Sequence, residues 1–232
     1  MYAGTNVSND NRANQIEYNP IFTTMYTNGQ VESIFTLVLD RDDSSSTLTL
    51  GGLPAAEPGW ASLEFTSTPI EILQINPSAN PKFTTEHSYY LITPDGFVYQ
   101  NATGDTSSNT ISSNFTTLVD SGTSLIYVPT IIANPVLNAF SPAAYYSDTA
   151  GAQVIPCNAT APEFGVTIGG TTFYINAQDM IVDTGMADGL CLSGVQDGGG
   201  ATNILGDVFL RNVIAVFDVG ASQMRFAPHE NY

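Results

Sequence analysis

Helix-period patterning is almost absent from this chain, and that limits its fold more than any other feature. Short apolar or alternating runs recur instead, punctuated by Gly, Pro, Ser and Asp clusters, which is the pattern of strands and turns. "SIFTLVLDR" reads as a strand, "DDSSS" as its turn and "TLTLGGL" as the returning strand. Further strands are expected at "ASLEFTST", "IEILQI", "YYLITPDGFVYQ", "TTLVD", "FGVTIGGTTFYI" and "IAVFDVGASQMRFAP". The Gly-containing spacers in "TIGGTTFYI" and "DVGASQMRF" mark hairpins. Two short helices fit the pattern. One covers about residues 19–28, with Pro20 suited to a first helical turn. The other follows Pro129, and Pro135 should interrupt or restart it. A one-turn helix is a candidate over 207–212. The fold class is therefore all-β with a few short helices.

At 232 residues the chain can form one all-β domain or two small ones, burying roughly 70% of the surface its unfolded form exposes. Lys and Arg number 5 against 22 Asp and Glu, a formal charge of −17. Nothing in that balance can neutralise phosphates, which excludes nucleic acid and an anionic membrane as partners. It suits work in acid, where protonation relieves the self-repulsion, and equally suits solubility after secretion. No run approaches the ~20 apolar residues of a membrane span. Cys157 and Cys191 lack C-x-x-C spacing, so neither a metal nor a redox motif is indicated. A bridge between them would close a loop of about 35 residues, worth ~4 kcal/mol by chain entropy. Four N-x-S/T sequons, at Asn6, Asn101, Asn114 and Asn158, point with the cysteines to an oxidising secretory route. The polar first residues carry no signal-peptide pattern, so the chain is expected to begin partway through a longer protein.

The chemistry-bearing stretch is "FTTLVDSGTSLIYVP", residues 115–129. Asp120 follows the apolar pair Leu118 and Val119 and opens a Gly turn crowded with hydroxyls. Gly122 allows the backbone to reverse beneath the carboxylate and its amide to point at an aspartate oxygen, and Thr123 can donate to the outer oxygen. Donors to the charged form lower a carboxyl pKa while burial raises it. An isolated "DSG" is far more often a plain Asx turn. Downstream, however, "NILGDVFLRNVIAVFDVGASQMRFAP" supplies an apolar pair and a glycine, Ile204, Leu205 and Gly206.

Together these strings resemble the pepsin-like aspartic proteases, in which an apolar-apolar-Asp-Thr/Ser-Gly-Thr/Ser turn threads beside an apolar-apolar-Gly segment to form a ψ-shaped core in each lobe. The stretch "PIFTTMYTNGQVESIFTLVLDRDDSSSTLTLGGLP" is similar to the segment joining the two lobes. "VIPCNATAPEFGVTIGGTTFYINAQDM" and "GLCLSGV" are similar to the C-terminal lobe, disulfide cysteines included. The resemblance covers roughly residues 18–230. It implies residues 1–52 as the tail of the first lobe with the inter-lobe segment, and 53–232 as the C-terminal catalytic lobe. It implies Asp120 as the second catalytic aspartate, with Ser121 bracing one lobe's turn against the other. Gly122, Thr123, Ser124 and Ile204 would line the cleft, with Leu205 and Gly206 in the supporting segment. Tyr89 would be the aromatic on the leaving-group side. Tyr90 stands where the family more usually has Trp. The implied activity is peptide-bond hydrolysis in acid, on peptide or protein substrates with large apolar residues at the cut, without metal or other cofactor. The implied location is extracellular or vacuolar. A non-catalytic binding or inhibitor protein on the same fold is the alternative, and the intact Asp-Ser-Gly-Thr turn favours the enzyme.

Two departures matter. "MIVDTGMADG" holds a second Asp-Thr-Gly at Asp183, but Met186 occupies the slot where a hydroxyl must donate to the carboxylate. Asp183 therefore reads as an exposed turn. The first lobe's own Asp-Thr-Gly and its flap tyrosine are not in the sequence; "MYAGT" lies too close to "PIF" to be that flap. Two acids must share a proton for this chemistry, and the chain supplies one. Its companion is expected from a lobe outside these residues.

Overall fold

The computed structural model describes residues 4–6, 16–41, 45–54, 63–71, 89–104 and 107–229. In chain order, β1 (Gly4–Asn6) pairs with β2 (Ile16–Tyr18), followed by α1 (Ile21–Thr27), β3 (Ile34–Val38), β4 (Thr47–Leu50) and β5 (Thr66–Pro69). Then come β6 (Leu91–Ile92), β7 (Gly96–Gln100), β8 (Asn109–Ser112), β9 (Thr117–Val119), β10 (Ile126–Val128) and α2 (Thr130–Ala139). The remainder is β11 (Tyr145–Ser147), β12 (Ala152–Pro156), β13 (Glu163–Ile168), β14 (Thr171–Ile175), β15 (Ile181–Val182), β16 (Leu190–Ser193), β17 (Val195–Asp197), β18 (Asn203–Leu205), α3 (Asp207–Leu210), β19 (Val213–Asp218) and β20 (Gln223–Pro228). Among the described residues the fold is all-β with three short α-helices, as the patterning predicts. The strand expected at "IEILQI" is seen only as a bridge at Glu71; residues 72–75 lie outside the described residues, as does part of the "DDSSS" turn.

One five-stranded sheet, in the order β4-β3-β19-β20-β5, joins residues 34–50 to the C-terminal strands. The unbroken apolar run of β19 is explained by burial on both faces. Val213, Ala215 and Phe217 join the main core, while Ile214 and Val216 pack with Val38 and Ala227 on the other side. Both hairpins read from glycine spacers are present. In β13–β14, Ile168 faces Thr171 across a two-residue turn, and Gly169 and Gly170 have φ of +55° and +80°. Such positive angles at both turn positions match the right-handed twist of the strands.

Pro135 corrects the expectation for the second helix. Residues 130–139 form one helix with the proline inside it. The amide it lacks would have reached the carbonyl of Ile131. Ile131 is 64% exposed, so water can take that bond. The buried face of Ile132, Ala133, Val136 and Leu137 holds the helix to the core. Pro20 is the residue immediately before α1 and not within its first turn.

Aromatic rings tie α1 to this core. Phe22 meets Phe35 edge-on at 4.9 Å, Phe35 stacks on Phe217 at 4.3 Å, and Tyr90 stands edge-on to Phe217 at 4.8 Å. Burial, with a smaller contribution from Tyr26, pushes the Tyr90 hydroxyl far above the ordinary phenol range. Cys157 and Cys191 form a disulfide across the β12–β16 pair, in which Ile155 faces Cys191. Buried Asp179 accepts two bonds from Arg41, at 3.1 and 2.7 Å, and one from Asn212 at 2.9 Å.

Candidate active site

The second five-stranded sheet, in the order β17-β10-β18-β9-β6, builds the site. β9 leads into the turn at Asp120 and the chain returns as β10, but the two are not neighbours. β18 is threaded between them, parallel to β9 and antiparallel to β10. Leu205 faces Val119 on one side and Ile126 on the other. The turn 120–125 therefore bridges over the end of β18, and its carboxylate is held at a crossing of three strands. This is the ψ arrangement that the resemblance implies.

Main-chain bonds lock the crossing. The amide of Asp120 donates to the Leu205 carbonyl at 3.1 Å, and that of Asp207 to the Thr123 carbonyl at 2.8 Å. The amide of Val208 donates to the Ser124 carbonyl at 3.0 Å. Gly206 sits where the chains touch. A Cβ there would lie 2.1 Å from the Thr123 carbonyl oxygen and 2.5 Å from that of Leu125. Only glycine permits the approach, which accounts for the apolar-apolar-Gly string in the sequence.

The Asp120 carboxylate is fixed by its own turn. The Gly122 amide donates to Oδ1 at 3.1 Å, and the Thr123 hydroxyl donates to Oδ2 at 2.7 Å. Asp120 is half-buried, while Ser121, Gly122 and Ser124 are exposed. Ile204 is half-buried and Leu205 fully buried. Tyr89 is 37% exposed, two residues before the outer strand of the same sheet, and the neighbouring Tyr90 carbonyl accepts the Val119 amide at 2.9 Å. The structure thus gathers the Asp120 turn, its three-strand support and the start of β6 into one region.

One acid of this region was not singled out in the sequence. Asp207, the first residue of α3, has its carboxyl raised above the ordinary range. Burial is the main cause, Arg211 opposes it, and the charge of Asp120 adds a smaller push upward. The signal was present in "ILGDVFLR", where an acid follows the tight glycine and an arginine follows four residues later.

The other candidates lie elsewhere. Asp183 is exposed and accepts the Gly185 amide at 2.8 Å, an Asx turn beside which no strand is threaded among the described residues. Its carboxylate lies within 4.8 Å of the sulfurs of Cys157 and Cys191. These three would suit a metal only with both sulfurs as thiolates, and here they are bonded to each other. Of the sequons, Asn114 and Asn158 are exposed and Asn101 is half-buried with partners of its own. Asn6 falls in β1, and its side chain lies outside the described residues. Among the described residues no helix is long and apolar enough to cross a membrane.

The site is thus a strand-threaded, hydroxyl-braced aspartate on an all-β fold, and comparisons with known proteins place the chain in a family. A family profile described as eukaryotic aspartyl protease matches residues 7–229. The chain is 44% identical over 220 residues to a probable aspartic-type endopeptidase of Aspergillus fumigatus, covering 90% of this chain and 47% of that protein. It is 34% identical over 121 residues to an acid protease of Saccharomycopsis fibuligera, covering 52% of this chain and 30% of that one. It is 36% identical over 126 residues to penicillopepsin-3 of Penicillium janthinellum, covering 53% and 31%. The chain belongs to the eukaryotic aspartyl protease family. It spans about half the length of the Aspergillus relative.

Proposed function

We propose that this chain carries one catalytic half of an aspartic endopeptidase that hydrolyses peptide bonds in acid, with Asp120 as one of two catalytic carboxylates. The observation that carries the reading is the held carboxylate itself. Gly122 and Thr123 donate to its two oxygens, at 3.1 and 2.7 Å, on a turn clamped by β18. Support of that kind orients a carboxylate for proton transfer, and its partial exposure leaves it open to water and substrate.

The reaction needs a second carboxylate about 3 Å away, so that one proton is shared between the two. The ionised member takes a proton from the bridging water as its oxygen attacks the scissile carbonyl carbon. The protonated member gives its proton to the carbonyl oxygen, and the resulting diol collapses with proton transfer to the departing amine. Their titration belongs to the pair. The companion comes from a facing lobe outside these 232 residues, with residues 1–52 forming that lobe's tail and the inter-lobe segment and 53–232 the C-terminal catalytic lobe. Ser121 braces the facing turn, Leu205 and Gly206 support the carboxylate, and Gly122, Thr123, Ser124, Ile204 and Tyr89 line the cleft. The substrates are peptides or proteins with large apolar residues flanking the cut. The disulfide and the exposed sequons at Asn114 and Asn158 support a secretory route, to an extracellular or vacuolar destination.

The test is cleavage of an apolar peptide by the full-length protein from acid to neutral pH. Activity should peak in acid, and Asp120→Asn should lower kcat by at least 10²-fold, within the ~10²–10⁴ expected of a general acid-base group, with an unchanged circular dichroism spectrum. A folded wild-type protein that binds a tetrahedral-carbon peptide isostere and cleaves nothing would make it the non-catalytic binding protein instead.

A further inference from the structure

The Asp-Thr-Gly turn at Asp183 plays no part in the site above, yet it is held against the disulfide. Its carboxylate lies within 4.8 Å of both sulfurs. The Gly185 amide fixes one of its oxygens at 2.8 Å. The two cysteines differ in access, Cys157 being exposed while Cys191 is 1% exposed. We propose that Asp183 guards the Cys157–Cys191 disulfide against attack by anionic thiols.

The chemistry follows from thiol–disulfide exchange. A thiolate attacks Cys157 Sγ, the sulfur of the exposed cysteine, and forms a mixed disulfide with it. The Cys157–Cys191 bond breaks and Cys191 leaves with the electron pair as a thiolate. A second thiolate of the reductant then displaces Cys157 as a thiolate and closes the oxidised reductant, so two electrons pass from the dithiol to the two cysteines. Asp183 opposes this step twice. Its charge repels the incoming thiolate, and it faces the negative charge that forms on buried Cys191. Two like charges about 5 Å apart in water interact by a little under 1 kcal/mol, a rate factor of roughly three to five. The remaining 34-residue closure survives longer in the presence of small thiols.

The test is the rate at which dithiothreitol reduces this bond in the folded full-length protein, read by differential alkylation and peptide mapping of Cys157 and Cys191. Asp183→Asn should be reduced roughly three- to fivefold faster than wild type at low salt, with the gap closing at high salt. Asp148→Asn removes another exposed charge, in the turn that precedes β12, and should stay near the wild-type rate. An uncharged phosphine should show a smaller gap, since only the leaving-group effect remains. Should Asp183→Asn unfold, Asp183→Ser, whose hydroxyl can still accept the turn amide, takes its place in the same comparison. Equal rates for Asp183→Asn and wild type, or an acceleration indifferent to salt and reductant charge, overturns the proposal. Peptidase activity plays no part in the readout, so this inference and the proposed function fail independently.

Discussion

A methyl group on Gly206 would meet the carbonyl oxygens of Thr123 and Leu125 at 2.1 and 2.5 Å, and both belong to the turn that holds Asp120. The clash is with backbone, so no rotamer change relieves it, and relief requires the crossing to open. Gly206→Ala should therefore destabilise the protein by more than ~4 kcal/mol, in the range reserved for strained backbone and overpacked sites. Urea titration checks this, and a loss under ~1 kcal/mol would show that the strands are less tightly crossed. Asp207, one residue on, gives a pH prediction. Its carboxyl is raised in the folded state by burial above all. Folding thus favours its protonated form. The contribution is fully present below the unfolded value of 3.8 and is lost as pH rises through the higher folded value. Asp207→Asn should gain stability relative to wild type as pH climbs through that window, measured as the difference in urea midpoint. A difference that moves the opposite way would mean Arg211 dominates.

At the scale of the element, the β13–β14 hairpin separates two effects that a glycine pair hides in sequence. Gly169 and Gly170 both have positive φ, but a Cβ on Gly169 would lie 2.5 Å from Thr66 Cγ2, while one on Gly170 would meet open space. Gly170→Ala should cost ~1–2 kcal/mol for left-handed backbone alone, and Gly169→Ala more; thermal melts of the two variants give the order. The hairpin itself was legible because its signal is local, a two-residue glycine turn between alternating strands. The same holds for α1, α3 and β19–β20. The turn at Asp120 and the Ile204-Leu205-Gly206 string were legible as motifs, although the threading of β18 between β9 and β10 is a long-range pairing that no window reveals. Strands such as β10 and β17 are three residues long and buried on arrival, too short to show a period. Pro135 misled because the rule against helix-interior proline assumes an unsatisfied carbonyl, and here that carbonyl belongs to an exposed turn of helix.

At the scale of the whole molecule, the question is what binds residues 34–50 to the rest. Sheet pairing of β3 with β19 is one tie, and the stacking of Phe35 on Phe217 is a second. A third is charge. Asp179 is 3% exposed and receives Arg41 through two bonds and Asn212 through one, with Arg211 3.9 Å away. In a chain of net charge −17, each arginine among the described residues faces a carboxylate: Arg41 and Arg211 face Asp179, and Arg225 faces Asp218. Cations are scarce and are spent on buried or half-buried partners. Removing Arg41 would leave a buried carboxylate with a neutral amide and one distant guanidinium. Breaking such a pair from one side costs ~3–5 kcal/mol, whereas replacing both partners with apolar groups of similar size is often close to neutral. Arg41→Ala should therefore lower the urea midpoint by that amount, and Arg41→Met combined with Asp179→Leu should recover most of it. If the double variant were as unstable as the single one, the bidentate geometry itself would be the tie, and apolar packing could not replace it. If the single variant lost under ~1 kcal/mol, the sheet and the Phe35–Phe217 stacking would hold the segment without it.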